Sequence, residues 1–406
     1  MKPEIVKKIP QQIKDEIKRH EKAIVNFLNE IIEIPSFDSQ IGNVVKRINQ
    51  EMKSLGFDEV FTDKMGNSVG RMGSGPIKIV FDSHIDTVGI ADRTQWNWDP
   101  FKGKTENGIR YGLGACDEKG STPGMIYALK ILKDLKLLDG FTCYYFGNME
   151  EECDGIAPNS LVETEKIRPD YVIIGEPTCM RIYRGHRGRV ELKVTTKGRT
   201  CHASAPERGD NAIYKMVPII QEIGEMSHKF KTDMFLGKGS VVVSKIECKT
   251  PSLNAVPDEC TIYLDRRLTF GENEKSSIAE LNSLPSMKAG KVEELFYDTP
   301  SYTGFKFPVS KYYPPWALDR NHPLVQAGIS SYKEAYDGKE PVVDKWVFST
   351  NGTYWMGKAG IPSIGFGPGD EVHAHTVNDQ VPVEDVVKAT GFYAMLPLAV
   401  KNSKSR

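Results

Sequence analysis

Five short segments of this chain carry residue types that can hold a cation or move a proton. Ser83-His84-Ile85-Asp86 follows an apolar run. Gly112-Leu113-Gly114-Ala115-Cys116-Asp117-Glu118-Lys119-Gly120 places an aspartate inside a glycine-rich loop. Met149-Glu150-Glu151-Glu152 and Gly175-Glu176-Pro177-Thr178 each set acids just after further apolar runs. His373-Ala374-His375-Thr376-Val377-Asn378-Asp379 lies near the end of the chain. A neutral imidazole is a good transition-metal ligand, and a nearby carboxylate can orient it. His84 and Asp86 are two apart, so in extended backbone they share a face. Adjacent glutamates repel one another unless a cation or proton intervenes. Alone, each segment reads as a polar turn, a helix cap or a solvated acidic loop. Together they supply His, Asp, Glu, Glu and His, with a spare carboxylate to act as a base. That set suits two divalent ions sharing one bridging carboxylate. Histidine with carboxylate ligands favours zinc, with cobalt and manganese as competitors. A phosphate loop is excluded, because Gly-x-x-x-x-Gly-Lys-Ser/Thr is absent.

The elements around these segments explain how they could meet. Apolar spacing predicts helices over 11–34 and 41–55 and an amphipathic helix over 121–138. The largely apolar run at 77–81 reads as a strand covered on both faces, 141–146 as the next strand and 171–174 as another buried one. Alternating helix and strand favours an α/β layer with a largely parallel sheet. In such sheets ligands gather at the carboxyl ends of strands, where the first, third and fourth segments fall. Near Gly185 the texture changes. Strands near 189–196, 241–246, 260–267 and 292–297, with helices near 211–229 and 273–284, give the order β-α-β-β-α-β of a ferredoxin-like module. The α/β texture returns after Pro314-Pro315, with a helix at 323–336, strands near 342–348 and 361–366, and a last helix at 383–398. The expected organisation is a catalytic domain in two segments, 1–184 and 301–406, with an α+β domain inserted at 185–300.

Composition narrows the function. The 406 residues carry 53 Lys and Arg against 54 Asp and Glu, which removes the electrostatic reason to expect nucleic acid or an anionic membrane. No run of about 18 apolar residues suggests a membrane span. The seven scattered cysteines form no Cys-x-x-Cys pair, so reduced thiols and a cytoplasmic setting are expected. Trp96, Trp98, Trp316 and Trp355 could line a pocket, although core packing suits all but Trp98 better.

The four-part pattern His-x-Asp, Gly-x-Gly-x-x-Asp-x-Lys-Gly, Glu-Glu and Gly-Glu-Pro resembles that of the co-catalytic metallohydrolases. That family includes acetylornithine deacetylase, succinyl-diaminopimelate desuccinylase, aminoacylase and related carboxypeptidases. Glu-Glu-x-Cys-Asp-Gly with Ser-Thr-Asn-Gly is similar to a branch found beside selenium-linked purine and amino-acid catabolism. The resemblance implies that His84 and Glu176 bind one metal, Glu151 and His375 the other, and Asp117 bridges both. Asp86 would tune His84, and Glu150 would serve as general base. A shift to Glu151–Glu152, or to His373, stays open on sequence alone. Asp379 stands where the family more often has Glu. Cys201-His202-Ala203-Ser204-Ala205-Pro206 resembles a lid motif whose histidine reaches a neighbouring subunit's site and meets the oxyanion. Asn254 and Arg267, or Arg266 beside it, match substrate-binding positions. Ser349-Thr350-Asn351-Gly352 matches a loop that more often reads Ser-Asp-Gly, and adds Asn351 and Gly352 to the substrate side. The implied protein is a homodimeric hydrolase of amide bonds in N-acyl amino acids or small peptides. A dipeptidase or aminopeptidase on the same centre is the nearest rival, and a non-catalytic metabolite binder is the next.

Overall fold

The computed structural model describes residues 8–37, 40–90, 92–149, 151 and 155–404. Glu150, the expected base, lies outside the described residues, as do Glu152, Cys153 and Asp154.

Helices α1 (Ile9–Ile32) and α2 (Ile41–Ser54) form where the apolar spacing predicts them. Each turns one stripe inward, with Ile24, Phe27, Leu28 and Ile31 from α1 and Val44, Ile48 and Met52 from α2. Strands β1 (Glu59–Thr62), β2 (Ser68–Gly73), β3 (Ile77–His84), β4 (Phe141–Asn148), β5 (Tyr171–Ile174) and β6 (Ile182–His186) belong to one sheet. Helix α3 (Ser121–Asp134) packs on it. A smaller sheet follows, made of β7 (Gly188–Lys197), β8 (Ser240–Lys249), β9 (Glu259–Leu268) and β10 (Gly290–Glu294). Helices α4 (Ala212–Met226) and α5 (Glu274–Asn282) accompany it. The chain then gives β11 (Tyr312–Tyr313), β12 (Trp316–Ala317), α6 (Pro323–Ala335), β13 (Val343–Trp346), β14 (Ser363–Gly365) and α7 (Val383–Lys404).

The larger sheet runs β1-β2-β4-β3-β5-β14-β6-β12, with β13 beside β6. Its four central strands, β4, β3, β5 and β14, are mutually parallel. Antiparallel strands flank them on both sides. The parallel centre explains the apolar runs: after exposed Lys78, Ile79, Val80 and Phe81 are wholly buried, as strands covered on both faces must be. Their carboxyl ends share one edge, since His84 pairs with Asn148, Asp82 with Ile174, and Gly365 with Ile174.

The smaller sheet is antiparallel with spatial order β8-β9-β7-β10, and β11 extends the edge beside the start of β7. Counting its four strands along the chain, the order is 4-1-3-2, as expected of a ferredoxin-like module. Strand β7 alternates buried and half-buried residues, and Val190, Leu192 and Val194 join Met216, Ile219, Ile262 and Leu264 in a hydrophobic core separate from that of the larger sheet.

His186, the last residue of β6, lies between Trp316 and Trp346, with its Nδ1 2.8 Å from the Arg187 carbonyl. Burial holds its pKa down at about 4. Below the ordinary histidine pKa of about 6.5 the unfolded chain takes up a proton that the folded one refuses, so stability falls as pH drops toward 4. The penalty is about 2 kcal/mol at pH 5. His186→Phe should flatten the dependence of unfolding free energy on pH between 7 and 5. Urea melts at both pH values would check this, and an unchanged slope would count against it.

Candidate metal centre and its cavity

Four neighbouring strand ends deliver the chemistry. His84 ends β3. Glu151 follows β4 by three residues and Glu176 follows β5 by two. His375 lies in the loop between β14 and α7. Asp117 comes from the loop leading into α3. Gly114 holds a left-handed φ of +82° in that loop, and a side chain there would strike Thr87 and Lys119. Gly175 allows another close approach: the Ser121 hydroxyl donates to its carbonyl, fixing the Asp117 loop against the Glu176 loop.

His84, Asp117 and Glu176 are buried, and each offers a ligand atom within 4.8 Å of the others. His84 Nε2 lies 2.8 Å from Asp117 Oδ1 and 3.9 Å from Glu176 Oε1. On the far side of Asp117, His375 Nε2 is 3.3 Å from Oδ2. The aspartate thus stands between the two histidines. Asp86 backs His84, with Oδ1 3.4 Å and its carbonyl 3.1 Å from Nδ1. His373 points elsewhere, to the Gln380 amide at 3.0 Å.

The electrostatics fit a divalent cation. Burial, then the neighbouring Asp117, Glu118 and Glu151, push Glu176 well above the carboxylate range. Its Oε2 is buried without a hydrogen-bond partner. Glu118 is raised chiefly by burial; its Oε1 accepts the His84 amide at 2.6 Å and its Oε2 has no partner. Burial also acts against an ionised Asp117, yet its bonds to His375 and His84 outweigh it and hold the group low. Asp117, Glu151, Glu176 and His375 all line one cavity of about 320 Å³. The partnerless Glu176 oxygen, with His84 and Asp117 beside it, belongs to a donor set that a zinc-class ion would satisfy.

The smaller sheet and its neighbour also contribute to the cavity lining: Arg189, Arg267 and Tyr313, with Ser349 and Thr350. Arg266 faces away, paired with Glu272 at 2.8 Å and Glu280 at 3.2 Å. Asn351 and Gly352 are not among the lining residues. Asn351 donates instead to Asn148 Oδ1 at 2.9 Å and Asp82 Oδ1 at 3.2 Å, and Gly352 lets Trp316 pack against the backbone. His202 and Asn254 are not among the lining residues either and are exposed to solvent. His202 Nδ1 meets the Ser204 hydroxyl at 2.7 Å, and the Asn254 carbonyl accepts the Ala203 amide at 2.8 Å. No tryptophan lines the cavity; Trp96, Trp316 and Trp355 are core residues, and half-buried Trp98 packs on Trp96 and Tyr111.

Asp82, Arg189 and Tyr313 went unnoticed in the sequence, and the role of Asp379 was not legible there. Asp82 sits two residues before His84 on the same strand face and accepts hydrogen bonds from Trp355, Asn148 and Asn351. Burial raises it to about 7. Asp379 accepts the amides of Gly114 at 2.5 Å and Cys116 at 2.7 Å, clamping the Asp117 loop to the His375 loop. The departure from Glu at this position therefore keeps a carboxylate that does structural service. Arg189 and Tyr313 gave no signal beyond strand alternation and an aromatic pair.

A buried cluster of imidazole and carboxylate at the carboxyl edge of a parallel sheet, on a cavity that two arginines also line, defines a metal-dependent hydrolase. Comparison with known proteins agrees. The model of Peptidase family M20/M25/M40 matches residues 80–399, and the chain belongs to that family. It is 43% identical over 399 residues to the uncharacterised protein YgeY of Escherichia coli strain K12, covering 97% of this chain and 99% of that one. A probable succinyl-diaminopimelate desuccinylase of Staphylococcus epidermidis RP62A is 24% identical over 388 residues, covering 89% and 88%. Among solved structures, an M20 family metallo-carboxypeptidase of Sulfolobus solfataricus superposes with a TM-score of 0.73 at 18% identity, covering 93% and 99%.

Asp379→Asn should weaken metal retention about 10- to 100-fold while leaving the fold intact, because the loop loses a charged acceptor. Metal content after dialysis against a graded chelator would measure it, and wild-type retention would show the clamp to be dispensable.

Proposed function

We propose that this protein hydrolyses C–N amide bonds in N-acyl amino acids or short peptides that carry a free carboxylate. The observation that carries this reading is the single cavity lined by Asp117, Glu151, Glu176 and His375 together with two arginines. When bound, two divalent ions, zinc first with cobalt or manganese as alternatives, would polarise the amide carbonyl and acidify the attacking water. His84 and Glu176 would hold one ion, Glu151 and His375 the other, and Asp117 both. Asp86 would fix the His84 ring. Glu150 would take the proton from the attacking water and pass it to the departing nitrogen. Arg267 would lie on the substrate side of the cavity, and exposed Asn254 would serve a second subunit's substrate as His202 does; Asn351 and Gly352, matched to the family's substrate loop, would act by shaping that loop.

His202 is the proposed donor to the tetrahedral oxyanion. Its exposure, away from the cavity of its own chain, supports service to a second subunit, and hence a homodimer with shared sites. The proposed division is a catalytic domain at 1–184 and 301–406 and a lid at 185–300. Among the described residues no helix is long and apolar enough to cross a membrane, and the six described cysteines are unpaired. A cytoplasmic setting is proposed on the scattered cysteines, and the near-balance of charge gives nucleic acid or an anionic membrane no electrostatic hold.

One observation favours the peptidase alternative. Glu371 lines the same cavity, and its buried Oε2 has no partner, so it offers a place for a substrate ammonium. A screen of acetyl, succinyl, formyl and carbamoyl amino acids together with dipeptides separates the two readings.

Chelation should abolish turnover and added zinc, manganese or cobalt restore it; activity that survives chelation would sink the hydrolase reading. Glu150→Gln should keep its metal and lose more than about 100-fold in kcat, following the usual contribution of a general base. Mixing His202→Ala chains with Glu150→Gln chains should recover part of the activity if sites are shared. No recovery in a verified mixed dimer would argue against sharing.

A further inference from the structure

The basic wall of the cavity is not a simple pair of arginines. Arg189 on β7 and Arg267 on β9 stand directly opposite one another in the antiparallel register. Both line the cavity. Like charges directly opposite across a sheet are destabilising, so the arrangement needs a compensating anion. One row further, Glu191 and Asp265 face each other in the same way.

The two arginines are compensated unequally. Arg267 is chelated by its own strand neighbour: Nε lies 2.7 Å from Asp265 Oδ1 and one terminal nitrogen 2.9 Å from Oδ2. That two-bond fork commits two of the five N–H donors of Arg267 to Asp265 and sets a carboxylate against its charge. Arg189 approaches Glu191 only to 3.6 Å, beyond hydrogen-bond range. Glu191 is drawn instead to Lys311 at 3.1 Å. The Nε of Arg189 is buried without a partner. The nearby Arg187 spends its donors on the carbonyls of Val347 and Lys238. Tyr313, the β11 residue paired with Arg189, lies under its guanidinium, 4.3 Å from the ring centre. A stacked guanidinium is pre-organised, so its remaining donors meet a planar anion at small entropic cost.

We propose that Arg189, positioned by Tyr313, is the residue that anchors the substrate carboxylate, and that Arg267 is held by Asp265 in a supporting role. Arg189 thereby sets specificity for free acids over their neutral amides. This inference rests on the reading of the cavity as the site of an amide hydrolase whose substrate carries a carboxylate.

Its test compares a panel of N-acetyl amino acids with their C-terminal carboxamides, using metal-loaded protein. Arg189→Gln should lose about 10- to 100-fold in kcat/KM on the acids, the usual worth of charged hydrogen bonds, and leave the carboxamides within about twofold. Arg267→Gln should lose less on the acids, and Arg189→Lys should recover only part. Tyr313→Phe keeps the stack and should retain most of the preference, whereas Tyr313→Ala should erode it. A variant that merely loosened the fold would depress both substrate series alike. Binding measured by calorimetry in Glu150→Gln protein, with and without Arg189→Gln, reads the same contrast without turnover. An acid-over-amide preference that survives Arg189→Gln, or that is lost only with Arg267→Gln, overturns the assignment. Chelator-insensitive hydrolysis of the panel would instead strike the metal-hydrolase reading itself, so the two failures are distinguishable.

Discussion

Too much negative charge is buried at one edge of one sheet. Asp117, Glu118 and Glu176 sit at a place that desolvates them, with Glu151 on the same cavity. Carboxylates so placed either take up protons or gather cations. Two histidines answer Asp117, and two carboxylate oxygens remain without partners. Much of the surrounding architecture makes sense as scaffolding for that unstable arrangement. The parallel centre of the sheet gathers four strand ends, the glycine-rich loop brings Asp117 across, and Asp379 locks that loop from the other end of the chain.

Below the cluster of His84, Asp117 and Glu176 lies a second layer that is polar yet wholly enclosed. Asp82 collects donors from Trp355, Asn148 and Asn351, drawn from three separate parts of the sequence. Such a network is costly if incompletely paired, and when paired it fixes a unique arrangement. It puts a carboxyl group on the same strand face as His84 without exposing it to the cavity. The basic wall is built on a contrasting principle. There, side chains alternate across an antiparallel pair, and the charges are set by register, not by loop geometry.

The central strands and most helices were legible because burial on both faces, or on one stripe, leaves a periodic apolar signature. The ends of β3, β4 and β5 were legible because chemistry-bearing residues follow those runs at once. The flanking strands β1, β2 and β6 were not. Polar residues, and glycines in β2 and β6, break their apolar pattern, and they become strands because a neighbour offers a ladder. Gly70, in β2, shows the reason: a side chain there would collide with Met52 and Phe57. Asn351 was read toward the substrate because its loop resembles a binding loop, yet its amide turns inward to Asp82. Arg189 stayed hidden because alternation marks a strand face without saying what lies opposite, and its meaning depends on a partner 78 positions away in register.

The Asp379 clamp joins residues 263 and 265 positions apart. A chain emerging from the ribosome can form β3, β4 and β5 and their helices long before that carboxylate exists. Until the final segment docks, the glycine-rich loop lacks its fastener and His375 cannot meet Asp117. The order of synthesis therefore postpones a competent centre to the end, and a prematurely terminated polypeptide would be spared a half-built metal trap in full working geometry.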